Sequence, residues 1–126
     1  MEQKFFMDKY SIYTRTINKT DLKQKNIDEI CEFFINKIKN HPKGAYIGMF
    51  NHFEHTTKID GTIADEIKDA KLVIFCFGQM LINTDITAIR PRSFGVIDIG
   101  DKVVVNFQEP PMAPMRDTMI EWVSEL

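Results

Sequence analysis

One apolar run limits the possible folds of this chain more than any other feature. Residues 72–77 read Leu-Val-Ile-Phe-Cys-Phe, and Gly78 follows them. A run of this length, rich in β-branched and aromatic residues and ended by glycine, predicts a central strand buried on both faces. The other elements must therefore cover this strand.

Length, composition and charge restrict the class of protein. The chain has 126 residues, 44% hydrophobic and 27% charged, so we expect a single globular domain over residues 1–126. Residues 1–8 are expected to be a loosely ordered lead-in. The net charge of -2 argues against nucleic-acid binding. No membrane span or secretory signal is recognisable, so we expect a cytoplasmic protein without membrane contact.

Periodicity predicts the order of the elements. Apolar residues recur at helical spacing from Ile27 to Ile38, after an Asn26–Glu29 pair typical of a capping box. Asn40-His41-Pro42 ends this helix. The other predicted helices are 62–70, with Thr62 as the cap, and 115–126. The predicted strands are 10–17, 45–53, 72–77, 94–99 and 102–108, the last two joined as a hairpin at Gly100-Asp101.

These elements predict an α+β fold in the order β-α-β-α-β-β-β-α. The simplest arrangement is a two-layer sandwich, in which helices cover one face of a mainly antiparallel sheet of about five strands. Alternation in the second strand places Tyr46, Gly48, Phe50 and His52 on the other face. An exposed apolar face usually marks an interface or a ligand groove. We therefore expect a homodimer or a groove on that face.

From the second strand onward, five pieces of the chain form a recognisable series: Phe50-Asn51-His52, Ile74–Gly78, Arg90-Pro91, the hairpin Val96–Val105 with Gly100 and Lys102, and Pro110. In their order and spacing these pieces, over about two-thirds of the chain, resemble a small bacterial α+β family, the domain of unknown function three-zero-two family. The chain also resembles a smaller uncharacterised bacterial family through Arg90-Pro91-Arg92-Ser93. Both resemblances imply a two-layer fold and dimerisation, and neither implies an activity.

Two histidines are the first candidates for a site. His52 and His55 follow the second strand, and imidazole is a common general base and metal ligand. On a helix this spacing places both rings on one face, whereas on a strand it does not. The alternatives are structural histidines, a small-molecule or catalytic role, or metal or haem binding. No zinc motif supports the last alternative.

The two cysteines, Cys31 and Cys76, lie on apolar patterns and are predicted to be buried and inert. If the strand containing Cys76 pairs with the second strand, its sulfur could approach His52 and form an activated nucleophile.

Arg90 and Arg92 flank Pro91 on a segment predicted to be extended. Residues two apart on an extended chain point the same way, so two guanidinium groups could bind one carboxylate or phosphate. The alternatives are salt bridges, with Glu54 and Asp98 as candidate partners, or a dimer contact. Near these loops, Met80, Met112 and Met115 could line an adaptable pocket.

Three hypotheses follow from these residues. The first is a homodimeric domain that binds or senses a small ligand, an anion or a metal or haem group, through His52, His55, Arg90 and Arg92. The second is an enzyme that uses His52 as a base or Cys76 as a nucleophile, which the incomplete set of catalytic groups disfavours. The third is a protein–protein interaction module without a small ligand. The cofactor, if one exists, is not indicated by any motif.

Overall fold

A computed structural model describes residues 1–126 as one antiparallel sheet with helices packed against it. The strands are β1 (Glu2–Phe6), β2 (Tyr10–Asn18), β3 (Ala45–Asn51), β4 (Asp69–Cys76), β5 (Arg92–Asp98) and β6 (Lys102–Gln108), and the helices are α1 (Ile27–Asn40), α2 (His52–Lys58) and α3 (Ala113–Ser124). The six strands lie in the order β1-β2-β6-β5-β4-β3. The predicted α+β class and antiparallel sheet are confirmed, with six strands rather than about five.

Helix α1 forms where the periodicity predicts it. The Asn26 side chain accepts a hydrogen bond from the Glu29 backbone N–H at 3.0 Å, which satisfies a free donor of the first turn. The helix ends at Asn40, just before His41-Pro42. Its apolar face is buried against the sheet and consists of Ile27, Ile30, Cys31, Phe34, Ile35 and Ile38.

Stacked aromatic rings form the centre of the core. Phe94 lies between Phe34 of α1, at 4.1 Å between ring centroids, and Phe75 of β4, at 5.1 Å. Trp122 of α3 also contacts Phe94, at 6.3 Å between ring centroids. Each of these side chains contributes about 1.5–3 kcal/mol by its removal from water. The helices α1 and α3 therefore cover the same face of the sheet.

The opposite face of the sheet, which we call the open face, carries a group of apolar side chains at its centre and lacks a long helix. Its half-buried side chains include Ile12, Leu72, Ile74, Ile97 and Val104. The short helix α2 lies at its margin, where His52 lines a hollow together with Leu72 and Gly95. None of the helices has both the length and the apolar character needed to cross a bilayer.

The first residues differ from the prediction, since residues 2–6 are not a loose lead-in. They form β1, which pairs with β2 from Glu2 opposite Thr14 to Phe6 opposite Tyr10. The turn between them holds Met7 and Asp8 at φ of 54° and 55°. The turn contains no glycine or asparagine, the residues that usually mark such a hairpin in a sequence. The hairpin was missed for that reason.

The helix predicted over 62–70 is wrong. Asn51 instead ends β3 and caps α2, because its side chain accepts the Glu54 N–H at 2.9 Å. Residues 59–68 then form no helix, and the Lys68 N–H donates to the Asp98 carbonyl at 2.7 Å. This bond draws the segment onto β5 and starts β4 at Asp69. Before Arg90, where no helix was predicted, Thr84–Ile89 forms a 3₁₀ helix.

Two corrections concern the strands β3 and β4. A bulge between Tyr46 and Gly48 shifts the register of β3 against β4. Tyr46 therefore packs against the core while Phe50 lies on the open face, so the two do not share a face. Strand β4 is an interior strand, but it lies next to the edge strand β3 rather than at the centre of the sheet. It is fully buried on one face only, the face that carries Val73 and Phe75.

Candidate functional site

The sequence-predicted site residues lie at two opposite ends of β4. The first group, which we call the histidine end, is His52 and His55 at the start of α2. The capped helix begins at His52, so the two imidazoles lie one turn apart with ring centroids at 6.3 Å. Both rings contact Phe50, at 5.1 and 5.4 Å.

The histidine end offers two imidazoles and no third ligand. Both histidines are exposed, and His52 Nδ1 lies 2.9 Å from Thr56 Oγ1. No group of three or more His, Cys, Asp and Glu side chains lies close enough to hold a metal ion. Glu54 is engaged by Lys58 at 2.7 Å, and this hydrogen bond lowers the pKa of the Glu54 carboxyl. The group is therefore a polar helix surface rather than an enclosed site.

The strand register separates Cys76 from His52. Strands β3 and β4 do pair, but Ala45 lies opposite Cys76 and Asn51 opposite Lys71. Lys71 and Cys76 are five positions apart on an extended strand, a distance of roughly 17 Å. The two side chains form no nucleophile–base pair. The other cysteine, Cys31, is 1% exposed, and burial raises the pKa of its thiol to about 12.

The second group surrounds a cleft at the other end of β4, which we call the Arg90 cleft. Its volume is about 260 Å³. One wall is apolar and contains Phe77 together with Met80, Met112 and Met115, the three methionines predicted to line a pocket. Its polar side chains include Arg90, Lys43 and His41, and no aspartate or glutamate lines it.

Arg90 is the unusual member of this cleft. Its Nε is buried and has no hydrogen-bond partner, and the side chain takes part in none of the ion pairs of the chain. The guanidinium lies directly over Gly78, where an added Cβ would be 1.9 Å from Nη1. A buried polar atom without a hydrogen-bond partner is costly. Arg90 is half-buried as a whole, and no acidic side chain lines the cleft to offset the charge of its guanidinium.

Arg92 does not join Arg90 in a paired site. Its Nη1 and Nη2 donate to the carbonyl oxygens of Ile89, at 3.2 Å, and Gln108, at 2.6 Å. Burial, and secondly the charge of Arg90, lower the pKa of the Arg92 guanidinium. Strand β5 begins only at Arg92, so the alternation that predicted a shared direction does not extend to Arg90.

The carboxylates proposed as partners of the arginines are bound elsewhere. Asp98 pairs with Lys19 at 2.9 Å. Burial alone raises the pKa of Asp98, but hydrogen bonds from Lys19 and the Gly100 N–H outweigh it, and the net pKa is lowered. Since Glu54 pairs with Lys58, neither acid neutralises Arg90.

His41 was missed as a site residue because the sequence marks it only as the end of α1. Its Nδ1 accepts the Lys43 backbone N–H at 3.1 Å, which leaves Nε2 to carry the proton of a neutral ring. The ring packs against Phe77 at 5.0 Å and Trp122 at 6.0 Å. The only local signal was a histidine beside Pro42, and its place in the cleft depends on α3.

Comparison with known proteins identifies the family. A model described as a family of unknown function, DUF6858, matches residues 1–126, so the chain belongs to this family. The resemblance to the domain of unknown function three-zero-two family is not shown by this match. No curated protein and no solved structure matches the chain.

Proposed function

We propose that this member of a family of unknown function binds a small organic anion in the Arg90 cleft. The carboxylate of the ligand pairs with the Arg90 guanidinium, and the apolar body of the ligand lies along the wall formed by Phe77 and the three methionines. One observation carries the proposal: a guanidinium with a buried, unsatisfied Nε borders a cleft that contains no acidic side chain.

The polar side of the cleft has the chemistry that an anion requires. A guanidinium can bind a carboxylate through two parallel hydrogen bonds, which are about twice as strong as neutral ones. The Lys43 ammonium adds a second positive charge, and His41 Nε2 adds a directional donor when it carries the proton. The ligand supplies the negative charge that the protein itself lacks at this place.

The apolar side of the cleft selects for a ligand with a hydrophobic body. Methionine side chains adapt to irregular shapes and contact aromatic rings favourably, and three of them line this cleft. The volume of about 260 Å³ is close to the lower end of ordinary ligand pockets, about 300 Å³. We therefore favour a small monocarboxylate with an alkyl or aromatic body over inorganic phosphate.

Calorimetric titration with benzoate, hexanoate and inorganic phosphate tests the proposal. Benzoate or hexanoate should bind more tightly than phosphate, and Arg90→Gln should weaken binding roughly 10- to 100-fold, because a charged hydrogen bond is worth about 1.5–3 kcal/mol. A double variant at the histidine end, His52→Ala with His55→Ala, is the matched control and should bind normally. The proposal is contradicted if Arg90→Gln binds the carboxylates as tightly as the wild type. It is also contradicted if neither carboxylate binds at a concentration of about 10 mM.

A sensing role and a partner on the open face remain parts of the same proposal. The open face supports the presence of a partner, because Leu72 and Ile74 of β4 and Val104 of β6 form a half-buried apolar surface without a charged side chain among them. No comparable observation supports the enzyme hypothesis, because Cys76 and His52 lie at opposite ends of β4.

A further inference from the structure

The sheet has two free edges, β1 and β3, and they differ in regularity. Strand β3 contains the bulge between Tyr46 and Gly48, a feature that disturbs pairing with an added strand. Strand β1 pairs with β2 without interruption from Glu2 to Phe6, and all five of its residues are exposed. The regular edge is therefore the one that can accept another strand.

The side chains of β1 are complementary to themselves. Glu2, Gln3 and Lys4 are consecutive, so an acid and a base lie symmetrically on either side of Gln3. A two-fold axis normal to the sheet at Gln3 pairs two copies of β1 antiparallel, with each Glu2 opposite the partner's Lys4. Opposite charges at directly facing positions stabilise a strand pair. A register centred on Lys4 would instead place two ammonium groups opposite each other.

We propose that β1 pairs with β1 of a second copy of this chain, antiparallel and centred on Gln3. The two six-stranded sheets then form one continuous sheet, with α1 and α3 on the same side in both copies. Phe5, 61% exposed, faces the partner's Met1, which is 40% exposed in the single chain. The pairing satisfies backbone groups that β1 otherwise leaves to water.

The size of the contact predicts a weak dimer. A five-residue strand buries less than the roughly 1,000 Å² expected of a stable interface, so we expect dissociation at concentrations on the order of 10–100 µM. Analytical ultracentrifugation of the full chain over this range measures it. The proposal is overturned if the chain is still monomeric at about 500 µM, a concentration above the range in which the dimer is expected to form.

Charge reversal tests the register. Glu2→Lys and Lys4→Glu, each alone, place like charges opposite each other twice in the dimer and should weaken association more than tenfold. An equimolar mixture of the two variants restores both opposite-charge pairs and should associate as the wild type does. If either single variant dimerises with unchanged affinity, or the mixture fails to associate, the Gln3-centred pairing is wrong.

Cross-linking tests the position of the axis. The Cα atoms of facing residues are about 4.5–5.5 Å apart, within the range that a disulfide spans, so Gln3→Cys should form a covalent dimer under mild oxidation. Ser11→Cys is the matched control, because both changes remove the same Gln3–Ser11 hydrogen bond. Its thiols would lie three strand spacings, about 14 Å, apart across the sheet. They would also be offset along the strands, because Ser11 lies opposite Phe5 rather than Gln3, and should not cross-link. A covalent dimer from Ser11→Cys, or none from Gln3→Cys, contradicts the assigned axis.

Discussion

The Arg90 cleft and the histidine end lie at opposite ends of β4 and differ in what supports their polar side chains. At the cleft, the aromatic core reaches the surface: Phe77 stacks on Phe75 at 5.4 Å and contacts Trp122 at 5.7 Å. At the histidine end, none of the residues of α2 is buried. Apart from each other, the two imidazoles contact one aromatic ring, that of Phe50. One group is built on the core and the other on a short surface helix.

This difference shows that residue type alone does not make a site. Histidine is one of the residue types most often used for catalysis or metal binding. His52 and His55 are nevertheless exposed, and no third ligand lies beside them. Arg90 has a buried Nε without a partner, and it borders a cleft in which two of the lining side chains, Phe77 and Met115, belong to the core. A rigid support keeps a polar group in one position, which ligand binding requires.

The largest expected effect tests how strongly the aromatic core contributes to stability at each of the two ends. Trp122→Ala should lower the free energy of unfolding by about 3–5 kcal/mol, because it leaves a cavity between Phe77 and Phe94. Phe50→Ala, the corresponding aromatic deletion at the histidine end, should cost roughly 1 kcal/mol, since that ring is only half-buried. Urea unfolding measures both. Equal losses would mean that the two ends are supported alike.

An intermediate effect is expected from a substitution that should change ligand binding without changing stability. Gly78→Ala should move the Arg90 guanidinium, because the new Cβ would lie 1.9 Å from Nη1, the flexible end of the side chain. We expect carboxylate binding to weaken roughly tenfold, with the free energy of unfolding changed by less than about 0.5 kcal/mol. Gly48→Ala is the control, since nothing lies within 4 Å of its added Cβ. Unchanged binding by Gly78→Ala would argue that the position of Arg90 does not matter.

The smallest effect concerns the exposed Glu54–Lys58 pair at the histidine end. The hydrogen bond from Lys58 lowers the pKa of Glu54 in the folded protein. Its contribution to stability is therefore complete above the unfolded pKa of about 4.3 and is lost as the pH falls through the lower folded value. An NMR titration of the Glu54 carboxyl should show the lowered pKa, and Lys58→Met should raise it. A pKa that does not respond to this change would show that the pair is not formed in solution.

Much of the fold was predictable because its signals are local. The apolar spacing of α1, the cap at Asn26 and the Gly100-Asp101 hairpin each depend on residues close together in the chain, and each is confirmed. The errors arose where the signal was weak or where distant contacts decided. The turn at Met7 and Asp8 has no typical turn residue, and the Lys68–Asp98 hydrogen bond overrides the helical pattern of 62–70.

The candidate site was predictable only in part. Arg90 and the three methionines were recognised as single residues, and they meet in one cleft. Their shared location depends on the loop after β4 and the first turn of α3, which no local pattern connects. His41 was not recognised, because its role depends on packing against Phe77 and Trp122 rather than on its neighbours in the chain.

The sequence by itself determined the type and most of the order of the elements, because hydrophobic period and caps act over a few residues. The tertiary structure alone decided which polar groups are close together. An antiparallel register fixes which residues face each other across β3 and β4, and it places Cys76 opposite Ala45, far from His52. Packing then determined which arginine lies in a cleft without an acidic partner, because in the sequence Arg90 and Arg92 both flank Pro91 and only the structure shows that Arg92 is bound to the Gln108 carbonyl.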